Sequence, residues 1–329
     1  MTQIIKSRAV RFDRFGGPEV LKFETVELPG PDQGEARIRH TAIGLNFIDT
    51  YHRTGLYPNP LPSGLGNEAA GVVEAVGSGV TELKPGSRVA YAGGVLDAYS
   101  ERRNMPADRL VPIPDGISDD EAASVMVKGL TAWYLLHHSY PVKPGDPVLL
   151  YAAAGGVGSI ASQWGKYLGA SIIGVVSTPA KAELAKSQGC DDVILSGEQD
   201  IAKRARELTG GEGVAACYDS VGRDTFFASL DALRPHGVLV SFGNASGPVE
   251  PFAPSELAKR HSLYVTRPVL FDFINSRDRL LDAAGRLFRL MEKGVLNVQV
   301  AQRYALADVA QAHTDLEARK TTGSTVLIP

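Results

Sequence analysis

The sequence predicts an α/β fold in which a doubly wound parallel sheet is joined to a second, β-rich domain. Three observations lead to this prediction. Strand-like and helix-like segments alternate from Asp146 onward, and a turn with very little side chain, "YAAAGGVGS" at residues 151–159, follows the first of these strands. The first ~125 residues, in contrast, contain mostly strands and turns. Alternating strand and helix is typical of a parallel sheet covered by helices.

The N-terminal part is predicted to be β-rich. The segments "EARIRHTAIGLN" and "AAGVVEAVGSGV" contain many β-branched residues, and glycine and proline separate them. The segment "LKPGSRVAYAGG" is typical of a turn followed by a strand. We therefore expect a β domain, of which a small barrel is one form.

The alternating block begins with "DPVLLYAA", an apolar run expected of a strand covered on both faces. A helix that ends at Gly169 follows. Its apolar residues form one stripe: Val157, Ile160, Ala161, Trp164 and Leu168. The pattern repeats through "SIIGVVS", "PAKAELAKSQG", "DVILS", "DIAKRARELTGG", "AACYDSVG" and "GVLVSFG". Helices near 277–293 and 306–319 and a strand "STVLIP" are predicted for the tail.

The composition fits a globular protein of two domains and excludes several classes of partner. The chain has 329 residues and a net charge of −3, which gives no electrostatic basis for binding nucleic acid or an anionic membrane. No run approaches the ~18 apolar residues of a membrane helix. The start, "MTQIIKSRAVRFDRFGG", lacks the apolar core of a signal peptide. Two cysteines, Cys190 and Cys217, give no disulfide framework, so we expect small buried thiols in a cytoplasmic protein.

The turn of small residues lies where a dinucleotide fingerprint belongs, between a buried strand and an amphipathic helix. Its pattern is Ala152-x-x-Gly155-x-x-Gly158, with alanine in place of the first glycine. Glycines permit a sharp turn and a close approach of the pyrophosphate, and the helix N-terminus offers N–H groups to it. Such turns also serve close packing, but the strand–turn–helix context favours a Rossmann-type nucleotide site.

The following strand indicates which nucleotide binds. NAD sites usually carry an acidic residue about 20 residues beyond the glycines, for the ribose 2′-hydroxyl. That place reads "VVSTPAKAE", with Ser177 and Thr178 at the strand end, so no carboxylate repels a 2′-phosphate. Lys181 either pairs with that phosphate or is a solvated helix residue. The missing acid and Lys181 together favour NADPH.

The spacing of the histidines argues against a metal. None pairs with a cysteine or another histidine at ligand spacing, and there is no CxxC motif. His137 and His138 are adjacent, so on a helix they point in different directions. The full set is His40, His52, His137, His138, His236, His261 and His313. We expect no zinc site, and NADPH itself supplies hydride chemistry.

The glycine turn and five further segments resemble one family over essentially the whole chain. The segments are "GLGNEAAGVVEAVGSGVTELKPGSRVAY", "AIGLNFIDTYHRTGLYP", "YDSVGRDTF", "SFGNASG" and "SLYVTRP". They resemble the zinc-independent, zeta-crystallin-like quinone oxidoreductases of the medium-chain dehydrogenase/reductase superfamily. The resemblance implies a GroES-like catalytic domain from residues 1–127 and 268–329 around an inserted Rossmann domain of residues 128–267. It also implies NADPH, a quinone acceptor in an interdomain cleft, and a homodimer.

The resemblance also explains the missing metal position by position. Asn46 stands where the zinc alcohol dehydrogenases of the superfamily have a catalytic ligand. In "Gly66-Asn67-Glu68", Asn67 replaces their histidine ligand, and the cysteine-rich structural zinc lobe is absent. Both departures imply a reaction without zinc.

The resemblance assigns site residues as well. Four residues are carried over as catalytic candidates: Asn46, Tyr51, Tyr57 and Arg267. The cofactor-binding candidates are Asn46, Lys128, Thr131, Gly155, Gly156, Val157, Gly158, Ser177, Lys181, Ser196, Phe242, Gly243, Thr266, Arg267, Pro268 and Arg319. Ser196 departs from the family, since close relatives have a tyrosine there that holds the 2′-phosphate and adenine.

Structural alternatives exist for several of these residues. Asn46 also suits a turn or helix cap, and Tyr51 and Tyr57 suit core or surface aromatics. Arg267 suits a structural ion pair, and Arg319 suits a helix C-terminus.

The resemblance leaves three hypotheses for function. The main one is NADPH:quinone oxidoreductase activity. The second is reduction of a 2-enoyl thioester or alkenal, with Tyr57 as the proton donor. The third is a non-enzymatic NADPH-binding protein with a structural or RNA-related role, against which the net charge of −3 argues. For the homodimer, the β segments "GVLVSFG" and "SLYVTRP" offer an edge strand for pairing, or else a covered internal strand.

Overall fold

The computed structural model describes residues 4–329, and the chain divides into two compact units. The first comprises the chain up to Val127 together with Ile274–Glu292 and Val298–Pro329. The second comprises Lys128–Phe273 and Lys293–Asn297.

Strands dominate the first third of the chain, and helices alternate with strands beyond it. The strands are β1 (Ile5–Arg11), β2 (Lys22–Leu28), β3 (Glu35–Leu45), β4 (Glu68–Val76), β5 (Arg88–Ala92), β6 (Arg102–Pro106), β7 (Val111–Pro112), β8 (Pro147–Tyr151), β9 (Ser171–Val176), β10 (Asp192–Leu195), β11 (Val214–Asp219), β12 (Leu233–Ser241), β13 (Tyr264–Thr266), β14 (Val300–Ala305) and β15 (Ser324–Ile328). The α-helices are α1 (Phe47–Thr54), α2 (Asp119–Tyr134), α3 (Gly156–Tyr167), α4 (Pro179–Ser187), α5 (Ile201–Leu208), α6 (Phe226–Asp231), α7 (Ser255–Lys259), α8 (Leu270–Phe273), α9 (Arg277–Glu292) and α10 (Val309–Glu317). Short 3₁₀ turns occur at Pro18–Val20, Ala107–Arg109 and Leu306–Asp308, and a π-helical turn at Leu135–Ser139 continues α2.

The first unit is β-rich, as predicted. Its seven-stranded sheet has the order β14-β15-β3-β4-β5-β7, with β6 also paired to β3, and β1 and β2 form a separate antiparallel pair. Alternate residues of these strands face a common core that includes Ile38, Ile43, Tyr91 and Met105. The helix α1 follows β3 directly, so the end of that central strand positions the start of the helix.

The second unit confirms the predicted doubly wound parallel sheet. Its strand order is β10-β9-β8-β11-β12-β13, and every pair is parallel. This is the usual order of a dinucleotide-binding sheet, in which the first strand of the block lies beside the fourth. In α3, the apolar residues Ile160, Ala161 and Trp164 are buried, as their spacing predicts.

The second unit extends beyond the expected boundaries for a physical reason. The ring of Phe273 stacks on that of Tyr134, with centroids 4.7 Å apart and an interplanar angle of 3°. The backbone N–H of Asn297 donates to Gln163 Oε1 at 2.7 Å. These contacts attach residues 268–273 and 293–297 to the second unit, whereas the sequence assigned both stretches to the catalytic domain.

Between residues 4 and 329, no helix is both long and apolar enough to cross a membrane.

Candidate functional site

The small-residue turn of the second unit connects β8 to α3. Gly155 is the N-cap residue of α3, and its backbone N–H donates to Ala152 O at 2.8 Å. Ala152 has a φ of 52°, in the left-handed region that glycine usually occupies. The turn is therefore tight even though alanine replaces the first glycine of the fingerprint.

Gly158 is required for packing. A Cβ at this position would lie 2.7 Å from Ala153 Cα and would overlap Ala152 O. The first turn of α3 therefore lies directly against the backbone of the preceding turn. This close approach aims the N-terminus of a twelve-residue helix at the carboxyl edge of the sheet, where its N–H groups favour an anion.

The other predicted cofactor residues of the second unit, apart from those on α2, also lie at this edge. Parallel strands in register end together, as the pairs Tyr151↔Val175 and Asp219↔Ser241 show. Four candidates come just after the ends of β9, β10 and β12: Ser177, Ser196, Phe242 and Gly243. Three more are the last residue of β13 and the two residues after it: Thr266, Arg267 and Pro268. Crevices outside the carboxyl ends of such strands are where open α/β sheets bind ligands.

No acidic residue lies between the end of β9 and the start of α4. Thr178 caps α4, and its Oγ1 accepts from the backbone N–H of Lys181 at 3.3 Å. Ser177 is exposed and Lys181 is half-buried. The arrangement places a hydroxyl and a lysine at the strand end where an NAD site would carry a carboxylate.

Asp219, the last residue of β11, holds the loops that follow β11 and β12. Its Oδ1 accepts from the backbone N–H groups of Val221 at 2.7 Å and Gly222 at 3.1 Å. Its carbonyl accepts from the N–H of Phe242 at 2.8 Å. Asp219 was not predicted as a site residue, although an Asp followed by "SVG" is a readable signal for a side chain that closes a turn.

Arg267 contacts the backbone at the end of the neighbouring strand. Its Nη1 donates to Ser241 O at 3.0 Å, which ties the loop after β13 to the end of β12. The side chain is otherwise exposed at the same edge. Lys128 and Thr131 lie on α2 rather than at a strand end, and both are buried.

In the first unit, Asn46 is the N-cap residue of α1. Its backbone N–H donates to Asp49 Oδ2 at 2.9 Å, and its Nδ2 donates to Glu68 Oε1 at 2.7 Å. The capping alternative considered for Asn46 is therefore correct for its backbone. The side-chain amide is oriented by Glu68, and an amide nitrogen carries a second donor.

Two predicted tyrosines lie together, Tyr51 on the helix that Asn46 caps and Tyr57 just after it. The rings of Tyr51 and Tyr57 have centroids 5.1 Å apart at 64°, and the N–H of Tyr57 donates to Tyr51 O at 3.1 Å. Arg319 follows α10, with a φ of 58° and an exposed side chain. Its position beyond a helix C-terminus agrees with the helix-dipole alternative.

A buried chain of polar groups, which we call the relay, runs from Asp49 to Arg53. Tyr99 Oη donates to Asp49 Oδ2 at 2.8 Å and lies 3.2 Å from His313 Nε2. Arg53 Nη1 lies 2.9 Å from His313 Nδ1, and Arg53 Nη2 reaches Glu317 Oε1 at 2.7 Å. The relay thus joins α1 to α10 across the interior of the first unit.

The partners fix the protonation states of the relay. Arginine only donates, so His313 Nδ1 accepts and the neutral ring carries its proton on Nε2, facing Tyr99. Burial, and then the charge of Arg53, lower the pKa of His313 to about 3. Burial raises the pKa of Asp49 to about 6, opposed by the hydrogen bonds from Asn46, Tyr99 and Asn67.

The residues at the positions of the zinc ligands do not fit zinc. Asn67 Nδ2 donates to Asp49 Oδ1 at 2.9 Å, just as Asn46 Nδ2 donates to Glu68. Both amides therefore turn N–H donors toward carboxylates, whereas zinc takes electron-pair donors from thiolate, imidazole or carboxylate. Within residues 4–329, no group of three or more His, Cys, Asp or Glu side chains is arranged to hold a metal.

The relay and the role of Glu68 were not predicted from the sequence. The spacing Asn46-x-x-Asp49 resembles a capping box and offered a local signal for Asp49. Arg53, Tyr99 and His313 offered none, because the partners of His313 are 214 and 260 residues away.

The sheet order and the glycine turn define a dinucleotide-binding oxidoreductase fold, and comparisons with known proteins agree. Residues 32–115 match the family described as alcohol dehydrogenase GroES-like domain, and residues 156–283 match zinc-binding dehydrogenase. A quinone oxidoreductase of Pseudomonas aeruginosa is 51% identical over 98% of this chain and 100% of its own length. The structure of Escherichia coli quinone oxidoreductase complexed with NADPH is 49% identical with a TM-score of 0.96, covering 98% of this chain and 100% of that one.

The chain therefore belongs to the quinone oxidoreductase family of the medium-chain dehydrogenase/reductase superfamily, which confirms the predicted resemblance. Another relative is a 2-haloacrylate reductase of a Burkholderia species. It is 45% identical over 95% of this chain and 96% of its own length.

Proposed function

We propose that this protein reduces quinones with NADPH and without a metal. The observation that carries the proposal is the carboxyl edge of the second unit. There, the N-terminus of α3 and the carboxylate-free end of β9 suit a dinucleotide with a 2′-phosphate. The NADPH complex of the E. coli relative supports the same cofactor.

The residues present fit this cofactor. The backbone N–H groups of Gly156 and Val157 would hold the pyrophosphate, and Ser177, Lys181 and Ser196 would hold the 2′-phosphate. Lys128, Thr131 and the loops at 242–243 and 266–268 would hold the nicotinamide end. Arg319 of the first unit is assigned to the 2′-phosphate by the resemblance alone. When bound, NADPH would supply the reducing equivalents, as a hydride or as single electrons.

The first unit supplies the polar groups for the acceptor. Asn46 presents a neutral amide donor whose orientation Glu68 fixes, and a donor aimed at a quinone oxygen stabilises the charge that develops there. The hydroxyl group of Tyr51 is a second donor. No strong acid is needed, because the oxyanion of a hydroquinone takes its proton from water.

The direct test is NADPH oxidation with a simple 1,4-quinone in the presence of EDTA. We expect turnover that chelation leaves unchanged and that is much weaker with NADH. Absence of turnover despite intact NADPH binding would exclude quinone reduction.

Lys181 provides a test of the phosphate site. Lys181→Glu is expected to weaken NADPH binding by about 10- to 100-fold, the value of one charge-assisted contact, and to leave NADH binding nearly unchanged. Lys186→Glu is the matched control, since Lys186 lies on the same helix and pairs with Glu183 at 3.5 Å. Equal losses in the two variants would show that Lys181 does not hold the phosphate.

Reduction of an activated carbon–carbon double bond is the second candidate. It is favoured by the similarity to a 2-haloacrylate reductase and by the placement of Tyr57 against Tyr51. A saturated product from a 2-enoyl substrate, lost in Tyr57→Phe while quinone reduction persists, would establish it.

We also propose a homodimer in the cytoplasm. β13 is the edge strand of its sheet, and the Tyr264 side chain on it is 60% exposed, which suits pairing with a second copy. β12, the other candidate, is internal. Both cysteines are free and buried, as in a reducing compartment. Light scattering of Tyr264→Lys against wild type tests the dimer.

A further inference from the structure

The carboxylate of Glu68 is buried and holds two elements at once. Glu68 begins β4 and is 0% exposed. Its Oε1 accepts from Asn46 Nδ2 at 2.7 Å, and its Oε2 accepts from the backbone N–H of Val127 at 2.6 Å. One carboxyl group therefore orients the side chain of Asn46 and holds the backbone of α2.

The contact with Val127 is unusual for the interior of a helix. Val127 lies in the middle of α2, where a backbone N–H ordinarily bonds to the carbonyl four residues earlier, in this helix that of Ala123. A side chain that enters this ladder competes for the donor and permits a bend at that point.

Gly44 makes the insertion sterically feasible. A Cβ at Gly44 would overlap Glu68 Oε1 and Ala123 O, so the backbone of β3 packs directly on both. The absence of a side chain at Gly44 thus leaves the space in which the carboxylate reaches α2. This explains the glycine of "AIGLN" in terms of packing rather than of a turn.

The position of Val127 along the chain gives the contact its functional consequence. Val127 is the last residue of the first unit in this part of the chain, and Lys128 is the first of the second. Lys128 and Thr131, the proposed nicotinamide-side residues, follow on the same helix. Glu68 therefore orients Asn46 with one oxygen and holds the backbone of α2 at Val127 with the other.

We propose that Glu68 is a positioning residue, which sets the orientation of the Asn46 amide against the backbone of α2 at Val127. The role rests on the proposed function, because Asn46 is the group through which it acts. Small displacements of such a group are costly: a shift of about 1 Å costs up to about 100-fold in rate.

The test is a double-mutant cycle on the purified full-length protein. Glu68→Gln keeps the shape of the side chain but replaces one acceptor by an amide donor. We expect kcat to fall about 10- to 100-fold, with the NADPH dissociation constant changed less than about twofold. In an Asn46→Ala background the same change is expected to cost less than about threefold, because the group it positions is gone.

The matched control is Glu74→Gln. Glu74 lies on the same strand and pairs with Arg102 at 3.0 Å near the surface. We expect its kcat to match wild type. Equal kcat losses from Glu68→Gln with and without Asn46 would overturn the proposal, since a purely structural role is additive.

If Glu68→Gln does not fold, Gly44→Ala tests the same proposal. Gly44→Ala keeps the carboxylate and forces it away from its place, so it should reproduce the kcat loss and its dependence on Asn46. Unchanged kcat in a folded Gly44→Ala would overturn the proposal.

The two proposals fail separately. If the wild type does not turn over a quinone, the proposed function is contradicted. The role of Glu68 is decided by a different quantity, the kcat of the variant divided by the kcat of the wild type. This ratio is measured with whichever acceptor turns over, the quinone or the 2-enoyl substrate.

Discussion

The polar cluster around Asn46 and the small-residue turn before α3 use opposite means to prepare a site. In the cluster, buried side chains fix one another through hydrogen bonds, as Glu68 does for Asn46 at 2.7 Å. In the turn, side chains are missing, so that backbone packs on backbone at Gly158. The cluster depends on partners far apart in sequence, whereas the turn is contained in one short segment.

This difference predicts different responses to substitution. Removing one member of a buried charged network leaves the others without compensation, so its cost is large and spreads through the network. Adding a methyl group to the turn produces a steric cost at one point and affects the ligand that approaches it.

The largest effect is expected from breaking the relay at Arg53. Arg53 is 1% exposed and contacts both His313 and Glu317. Arg53→Met should lower the free energy of unfolding by about 3–5 kcal/mol, since it leaves His313 Nδ1 and Gly16 O without their donor and Glu317 without its ion-pair partner. Urea denaturation measures this.

The control for Arg53 is Arg286→Met. Arg286 pairs with Asp282 on the exposed face of α9 at 2.9 Å, and its loss should change stability by less than about 1 kcal/mol. Similar costs for the two variants would mean that the relay stabilises the fold no more than a surface pair does.

An intermediate effect is expected from filling the turn. Gly158→Ala should destabilise the protein by about 1–3 kcal/mol and weaken NADPH binding, because the new Cβ meets backbone that cannot move cheaply. Thermal unfolding with and without NADPH measures both. Gly116→Ala is the control, since a Cβ there would meet nothing within 4 Å. A Gly158→Ala variant that binds and unfolds like Gly116→Ala would show that the close approach is not needed.

The smallest effect concerns the pH dependence of stability and involves His40. His40 Nδ1 faces Ser100 O at 2.7 Å, and Tyr91 Oη lies 3.0 Å from Nε2, so the ring is held neutral. Burial lowers the pKa of His40 to about 3. Below the ordinary histidine pKa of about 6.5 only the unfolded chain takes up this proton, so stability falls as pH falls.

Between pH 7.5 and 5.5, His40 should contribute a loss of about 1.4 kcal/mol in the free energy of unfolding. His40→Gln should remove that part of the slope, whatever its stability at a single pH. Asp49, whose pKa is raised to about 6, acts in the opposite direction because the folded state takes up its proton first. Asp49 is present in the wild type and in His40→Gln, so its contribution cancels when the two slopes are compared. An identical slope in wild type and variant would show that His40 is not held neutral.

Much of the second unit could be predicted from local sequence. The apolar run at β8, the stripe of α3 and the glycine spacing each reside in a few consecutive residues, and all appear where expected. Short helices such as α6 were missed, because six residues give too little periodicity to detect.

The first unit was less predictable. Its strands were recognised as β, but the chain order gives no indication that β15 would pair with β3, or that Glu68 would reach the backbone of α2. The candidates Asn46, Tyr51 and Tyr57 came from resemblance, and the groups that hold Asn46 became apparent only in the tertiary structure.

The sequence by itself determined the parallel nucleotide-binding sheet, its glycine turn and the lack of an acidic residue after β9, because short-range sterics and periodicity specify each of these. Only the tertiary structure decided which buried charges meet. Arg53 and His313 are 260 residues apart and meet because α1 and α10 pack in one core. The neutral state of His313 and the orientation of the Asn46 amide follow from burial and from partners that no local pattern encodes.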